Sequence, residues 1–212
     1  RPNSLVNAAR LRLAVAGRPW RQTAIKPTDQ YLLSGLVRIG EFDVAHELAS
    51  SLNPSRAKSG RDSGNLLRNA DFATVPILPP FDWQLPTLGN LGASIDGSGG
   101  MLVSAIGGAR GVAARQLLRL APGEYSLAWK SSASGEINPN ALTAWLECAE
   151  RGESSADESR ISLSLRASQA RMRVPVSTCR WYWFSIAVAI PDGNPGIDFN
   201  LRKLSLTETV ER

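Results

Sequence analysis

The side chains of this sequence that are best suited to ligand binding are its tryptophans. Six tryptophans occur in 212 residues, and Trp145, Trp181 and Trp183 lie in segments with the alternating pattern of β-strands. A flat indole ring stacks on the apolar C–H face of a sugar, while polar neighbours bind the hydroxyls. These residues therefore predict either a sugar-binding surface or an apolar surface that another element covers.

Side chains of a strand point alternately to its two faces, which sorts these tryptophans. In 141–148 and 181–190 the large aliphatic residues occupy one parity and must face the core. The residues that this leaves on the outer face, and that we predict to bind a ligand, are Trp145, Glu147, Trp181 and Trp183. The face is either a sugar platform or the place where the N-terminal helices pack, and small neighbours such as Ala187 and Ala189 favour close helix packing.

Another tryptophan, Trp83, lies in the proline-rich segment PPFDWQLP. A loop aromatic at this position either shapes a binding site at the edge of the domain or plugs one end of its core. We include Trp83 among the predicted ligand-binding residues and leave both alternatives open.

Several kinds of catalysis are unsupported by the residue types. The only histidine, His46, lies in a predicted helix, so no Ser-His-Asp triad is expected. The glycine-rich segments match neither a phosphate loop nor a dinucleotide fingerprint. A glycosidase needs two carboxylates beside the scissile bond, and nothing pairs Asp82, Glu124 or Glu147. We therefore predict a protein that is not an enzyme and has no cofactor.

The two cysteines, Cys148 and Cys179, either form a disulfide or remain two buried thiols. No CxxC motif is present, and one histidine is too few for a zinc site. Both cysteines fall at predicted strand ends, where a cross-strand bond fits, so we favour the disulfide. It predicts an extracytoplasmic protein, periplasmic or secreted.

Charge and hydropathy limit the partners. Residues 1–64 contain 10 Lys/Arg and 5 Asp/Glu, whereas residues 65–212 contain 14 of each, so the net charge of +5 belongs to the first segment. The C-terminal segment thus lacks the basic footprint of a nucleic-acid-binding domain. The sequence contains no run of 18 apolar residues, so no membrane-spanning helix is predicted.

Because the chain begins RPNSLV without methionine, we expect a processed product or an excised part of a longer protein.

The hydrophobic period divides the chain into two parts. Helices are predicted over 4–16, capped by Ser4, over 29–39, capped by Thr28 and ended by Gly40, and over 41–52. The predicted domains are a helical segment 1–58, a linker 59–64 and a β domain 65–212. The strands predicted in the β domain are 123–130, 141–148, 161–166, 170–176, 181–190 and 197–206.

The helical hairpin resembles a tetratricopeptide repeat. That family has a G-x-Y/F-x-x-A turn, and the chain reads GEFDVA from Gly40 to Ala45. The resemblance implies a segment that recruits a protein partner, and one degenerate unit needs a neighbour on which to pack.

The C-terminal part resembles the β-sandwich carbohydrate-binding modules of jelly-roll type. NLLRNADF (65–72) is similar to their first strand, PGEYSLAW (122–129) to a middle hairpin, and IDFNLRKLSL (197–206) to a C-terminal strand. The resemblance implies an edge strand at NLLRNADF and a glycan ligand. It also implies a structural calcium ion near Asp71 and Asp198, although Ala73 replaces a family glutamate.

The sequence thus predicts a multi-domain protein: a short tetratricopeptide-like α-hairpin followed by an antiparallel β-sandwich of jelly-roll type. Its predicted function is a non-catalytic glycan-binding or protein-binding module of an exported cell-envelope protein. The alternative is a structural or scaffolding protein without a sugar ligand, and a third is a glycoside-active enzyme.

Overall fold

The computed structural model describes residues 2–52, 64–134, 140–150, 160–163 and 168–209. Three helices come first: α1 Pro2–Ala16, α2 Pro27–Arg38 and α3 Phe42–Leu52. Nine strands follow: β1 Leu91–Ile95, β2 Met101–Ala105, β3 Arg110–Arg119, β4 Gly123–Ser134, β5 Leu142–Cys148, β6 Ile161–Ser162, β7 Gln169–Val174, β8 Trp181–Ala189 and β9 Ile197–Glu208. The predicted order of helices and then strands is confirmed. The predicted linker 59–64 lies outside the described residues except for Gly64.

The helix starts differ from those predicted. Helix α1 already includes Pro2, so Ser4 is not its cap. Helix α2 begins at Pro27 because proline suits a first helical position and because the Asp29 carboxylate accepts a hydrogen bond from the Lys26 N–H at 2.8 Å. The cap therefore lies at Lys26 and not at Thr28. After α2 the chain turns at Gly40 (φ 82°), as predicted.

The strands form two antiparallel sheets that face each other as a sandwich. One sheet has the order β1-β2-β9-β4-β7 and the other the order β3-β8-β5-β6. The alternation predicted for β4 and β8 is found, because the inward parity of both strands fills the core between the sheets. Core residues from these two strands are Tyr125, Leu127, Trp129, Tyr182, Phe184, Ile186 and Val188.

The segment NLLRNADF is not a strand, contrary to the prediction. Asn69 (φ 49°) and Phe72 (φ 56°) adopt left-handed backbone conformations, which interrupt any extended run. The segment is attached to β9 by two backbone hydrogen bonds, from the Leu66 N–H to the Leu206 carbonyl at 2.8 Å and from the Leu204 N–H to the Ala70 carbonyl at 2.9 Å, and by the side chain of Asn65. Its amide donates to the Leu204 carbonyl at 3.1 Å and accepts from the Leu206 N–H at 3.0 Å. The asparagine of the motif thus helps to anchor a segment that is not a strand.

Strand β3 was absent from the predicted elements. It pairs with β8 along its length, with an irregularity between Val112 and Ala114 that shifts the register. The strand also carries the fully buried Gln116, whose amide bonds the Arg68 N–H and C=O at 2.8 and 3.1 Å. An inward glutamine and a shifted register break the period of two on which strand prediction depends.

The three helices pack on the outer face of the four-stranded sheet and form a second core there. The buried residues of this second core are Ala9, Ala16, Leu33, Leu36, Phe42, Ala45, Leu48, Ala49, Leu52, Leu78, Phe81, Leu117 and Trp181. Arg12 and Asp29 tie α1 to α2 through a 2.9 Å ion pair. The structure shows three packed helices here, and their resemblance to a tetratricopeptide repeat stays a prediction.

Candidate functional site

The outer face of the four-stranded sheet gathers most of the predicted ligand-binding residues. In register across β5 and β8, Glu147 lies opposite Trp183 and Trp145 lies opposite Ser185. On the other side of β8, Arg115 of β3 lies opposite Ser185. Trp145, Glu147 and Trp183 therefore share one face, as the strand parity predicted, and an arginine that was not predicted joins them.

Trp181 lies on the same face but beneath the helices. Its side chain is 1% exposed. The ring centroids of Phe42 and His46, both on α3, lie 6.2 and 5.3 Å from the Trp181 ring, and that of Phe81 lies 5.9 Å away. Aromatic groups surround the indole, so Trp181 holds α3 to the sheet and offers no ring face to a sugar.

Trp183 is half-buried at the border of the helical cluster. The guanidinium carbon of Arg115 lies 4.2 Å from the centroid of its ring. Arg115 also donates from Nε to the Gln84 side-chain oxygen at 2.8 Å, which fixes the guanidinium on the indole. Burial lowers the pKa of Arg115, and the charge of Glu147 opposes this decrease.

Trp145 carries a second cation. The guanidinium carbon of Arg160 lies 4.0 Å from the centroid of its ring, and the tryptophan is only 5% exposed. Its indole N–H is buried, and none of the described residues accepts a hydrogen bond from it. A buried donor that lacks an acceptor costs about 1–3 kcal/mol. We call Arg115, Trp145, Glu147, Arg160 and Trp183 the arginine–tryptophan strip.

The two arginines of the strip were missed for different reasons. Arg115 lies on β3, which the hydrophobic pattern did not reveal. Arg160 ends the polar stretch AERGESSADESR (149–160), whose residues show no strand pattern, yet it immediately precedes β6, whose register brings it beside Trp145. The parity of β6 would have placed Arg160 on the outer face, had pairing between β5 and β6 been considered.

Trp83 lies inside the sandwich. It is 1% exposed, and its indole N–H donates to the Asn69 carbonyl at 3.1 Å. The rings of Phe72 and Phe184 lie 5.8 and 6.2 Å away. Of the two alternatives, the structure shows the core plug, because every face of this indole is packed by protein.

The residues suggested for calcium have separate surroundings. The Asp71 carboxylate accepts from the Ala73 N–H at 3.3 Å, whereas Asp198 is an exposed residue of β9. Within the described ranges, the one group of three side chains close enough to share a metal ion is Cys148, Glu150 and Cys179. Its two sulfurs are bonded to each other. A calcium site at Asp71 and Asp198 stays a prediction.

The Cys148–Cys179 disulfide is confirmed. It joins the end of β5 to the segment that enters β8. The next residue, Arg180, donates to the Asp43 carboxylate of α3 at 3.1 Å. The covalent bond thus holds the part of the sheet on which α3 packs, and it is consistent with an extracytoplasmic protein.

A groove of about 510 Å³ opens at the end of the sandwich, between the loop before β1 and the turns after β2 and before β9. Its lining contains Thr87, Asn90, Ser104 and Asp198 together with aliphatic residues and glycines. No aromatic residue is among the described residues that line it. The groove therefore offers no ring on which a sugar could stack.

The three carboxylates considered for glycoside cleavage lie apart. Glu147 is on the outer face of the four-stranded sheet, and Glu124 is on the opposite sheet, 3.6 Å from Arg173. Asp82 is buried and accepts from the Trp83 N–H at 2.9 Å. The only histidine of the chain, His46, is packed between Phe81 and Trp181.

No helix among the described residues has the length and apolar character needed to cross a membrane. No family model matches the chain, and no curated protein matches it.

Solved structures with a similar fold include carbohydrate-binding modules and a cyclase. TmCBM61 in complex with β-1,4-galactotriose has a TM-score of 0.43 at 13% identity, over 68% of this chain and 99% of that chain. A structure described as CBM4 gives 0.44 at 10% identity, with the same coverage. A cyclase from Fischerella sp. TAU gives 0.40 at 14% identity, over 68% and 98%. All three TM-scores lie below 0.5, so the ligand has to be inferred from this chain's own residues.

Proposed function

We propose that this chain is a non-catalytic glycan-binding module of an exported protein, and that the glycan lies along the arginine–tryptophan strip. The observation that carries the proposal is that the half-buried Trp183 lies beside Arg115 and Glu147 on the outer face of the sheet, where a second guanidinium, that of Arg160, stacks on the 5% exposed Trp145. Tryptophans beside hydrogen-bonding groups are the arrangement by which proteins bind sugars.

Each group of the strip has a chemical role towards a sugar. A guanidinium that stacks on an indole uses its flat face, so the N–H groups at its edge remain for hydroxyl or ring oxygens. Glu147 accepts hydrogen bonds from sugar hydroxyls, and the Trp145 ring supports the guanidinium of Arg160.

The surroundings of the ionisable groups support binding without catalysis. Glycoside cleavage requires two carboxylates on either side of one bond, about 5–10 Å apart. Asp82, Glu124 and Glu147 lie in three separate environments, and His46 is enclosed by aromatic rings of the second core. We expect no hydrolysis of any polysaccharide that the protein retains.

Affinity electrophoresis through gels that contain neutral and acidic polysaccharides tests the proposal. Wild-type protein should be retarded by at least one polymer, and Trp183→Ala should abolish the retardation, because aromatic anchors dominate such contacts.

The matched control is Trp20→Ala, because Trp20 is 68% exposed in the helical segment, on none of the strands that form the strip. It should migrate like the wild type in every gel. Retardation of Trp183→Ala equal to that of the wild type would show that the glycan binds elsewhere. Absence of retardation by every polymer would remove the glycan proposal.

The burial of Trp181 favours a second candidate, a scaffolding protein without a sugar ligand. The helices cover one end of the face on which a ligand would otherwise lie, and their own outer surface exposes Tyr31 and Leu11. This segment would then recruit a protein partner, as its resemblance to a tetratricopeptide repeat implies. The scaffold predicts no polysaccharide retardation and a complex, captured from cell envelopes, that Tyr31→Ala disrupts while Trp183→Ala does not.

A further inference from the structure

The arginine–tryptophan strip carries a surplus of positive charge that bears on the class of glycan. It contains two guanidiniums and one carboxylate. Of the described carboxylates, none lies within ion-pair distance (4.0 Å) of Arg115 or Arg160, whereas Arg12 and Arg180 each have such a partner. From this we propose that the ligand is an acidic glycan whose carboxylates bind Arg115 and Arg160. The inference rests on the proposed function.

The sheet register sets the spacing of the two cations. Arg115 of β3, Ser185 of β8 and Trp145 of β5 form one row across the sheet, and the register of β6 continues this row to Arg160. Adjacent strands lie about 4.8 Å apart, so three steps place the two arginine backbones about 14 Å from each other. An oligosaccharide that runs across the strands along this row would meet one cation near each end.

Stacking on the tryptophan rings holds the two guanidiniums in a geometry that can bind carboxylates. The Trp183 and Trp145 rings hold the faces of Arg115 and Arg160, and the edges of a guanidinium match a carboxylate with two parallel hydrogen bonds. The Nε–H of Arg115 already donates to Gln84, so the donors left for a ligand carboxylate are the N–H groups of its two terminal nitrogens.

Desolvation strengthens the argument at Arg115. A half-buried cation without a close counter-ion loses hydration, and a ligand carboxylate restores the lost stabilisation. Burial lowers the pKa of Arg115, and the charge of Glu147 offsets only part of this decrease. The protein therefore replaces only part of the hydration that the cation loses.

The opposite sheet shows that this arrangement is local. Arg171 and Arg173 are exposed on β7, and Arg173 lies 3.6 Å from Glu124. Among the described residues, no tryptophan ring lies beneath the guanidinium of either arginine. These arginines share the chain's overall charge but not the stacked geometry, and they supply the matched control.

The test is affinity electrophoresis of the full chain at physiological salt through polygalacturonate, alginate and hyaluronate, each beside its carboxyl-reduced form. We expect at least one acidic polymer to bind about tenfold more tightly than its reduced form, which corresponds to about 1.4 kcal/mol. Arg160→Gln should remove most of that preference, whereas Arg171→Gln should keep it. Melting curves of both variants check that they are folded.

The outcomes separate this inference from the proposed function. Equal or tighter binding to the carboxyl-reduced or neutral polymers would overturn the acidic ligand and leave a glycan-binding strip. An equal loss in Arg171→Gln and Arg160→Gln would show attraction to the overall charge of the protein, and this too would overturn the inference. Absence of binding to every polymer would remove both proposals.

Discussion

Replacing Trp181 tests whether the helices and the sandwich are held together as one unit. The 1% exposed indole contacts rings from α3 and from the proline-rich segment. Truncation of a buried aromatic to alanine costs about 3–5 kcal/mol. For a chain of this size each kcal/mol lowers the melting temperature by about 2–4 °C, so Trp181→Ala should lower it by roughly 6–20 °C.

Thermal unfolding followed at a helix-sensitive wavelength and by tryptophan fluorescence measures this loss. The control is Trp20→Ala, which removes the same side chain from an exposed position and should change stability by less than about 0.5 kcal/mol. Hydrogen exchange of the α3 amides should also become faster in Trp181→Ala. Equal melting temperatures for both variants would refute the packing of α3 on Trp181.

Three further changes test other contacts. Asp29→Asn should cost about 3 kcal/mol in urea unfolding at pH 7, because the largely buried Arg12 guanidinium keeps its bonds to the Gln22 and Ala24 carbonyls but loses its carboxylate counter-ion. Burial raises the pKa of Asp29, but hydrogen bonds from Arg12 and the backbone lower it below its usual value. The stabilisation by the ion pair should therefore be present at neutral pH and disappear as the pH falls below about 4. A stability difference between wild type and variant that persists undiminished at low pH would contradict this. Cys179→Ser opens a covalent loop of 31 residues and should cost about 3–4 kcal/mol by the chain-entropy relation, whereas an unchanged denaturation midpoint would show that the bond does not form. Gly107→Ala would press the new Cβ against a backbone carbonyl oxygen and should cost about 1–3 kcal/mol. At Gly123 an added Cβ would meet no neighbour, so Gly123→Ala should be nearly neutral. Equal stability of these two variants would contradict the close approach at Gly107.

The elements with regular periods were predictable from the sequence. Strands β4, β5 and β8 alternate large apolar and small or polar residues, so both their existence and their faces follow from parity. The disulfide followed from two cysteines at strand ends. The helices lay near the predicted positions, although the starts of α1 and α2 shifted because of Pro2 and the Lys26–Asp29 interaction.

What could not be predicted depends on contacts between distant segments. NLLRNADF reads as a strand, but the left-handed residues Asn69 and Phe72 and the long-range bonds of Asn65 make it a turn. The burial of Trp83 follows from how its loop enters the sandwich. Arg115 joins the strip only through the pairing of β3 with β8, and that pairing spans about 70 positions along the chain.

The central claim is that a glycan binds the strip between the helices and the sheet edge. The most direct measurement is the indole N–H spectrum of the six tryptophans during titration with pooled acidic and neutral oligosaccharides. We predict that Trp183, which is half-buried, and Trp145, whose ring carries Arg160, shift together, while Trp83, Trp129 and Trp181, which carry no stacked arginine among the described residues, stay in place. Shifts confined to Trp20, or no shift of any indole, would contradict the claim.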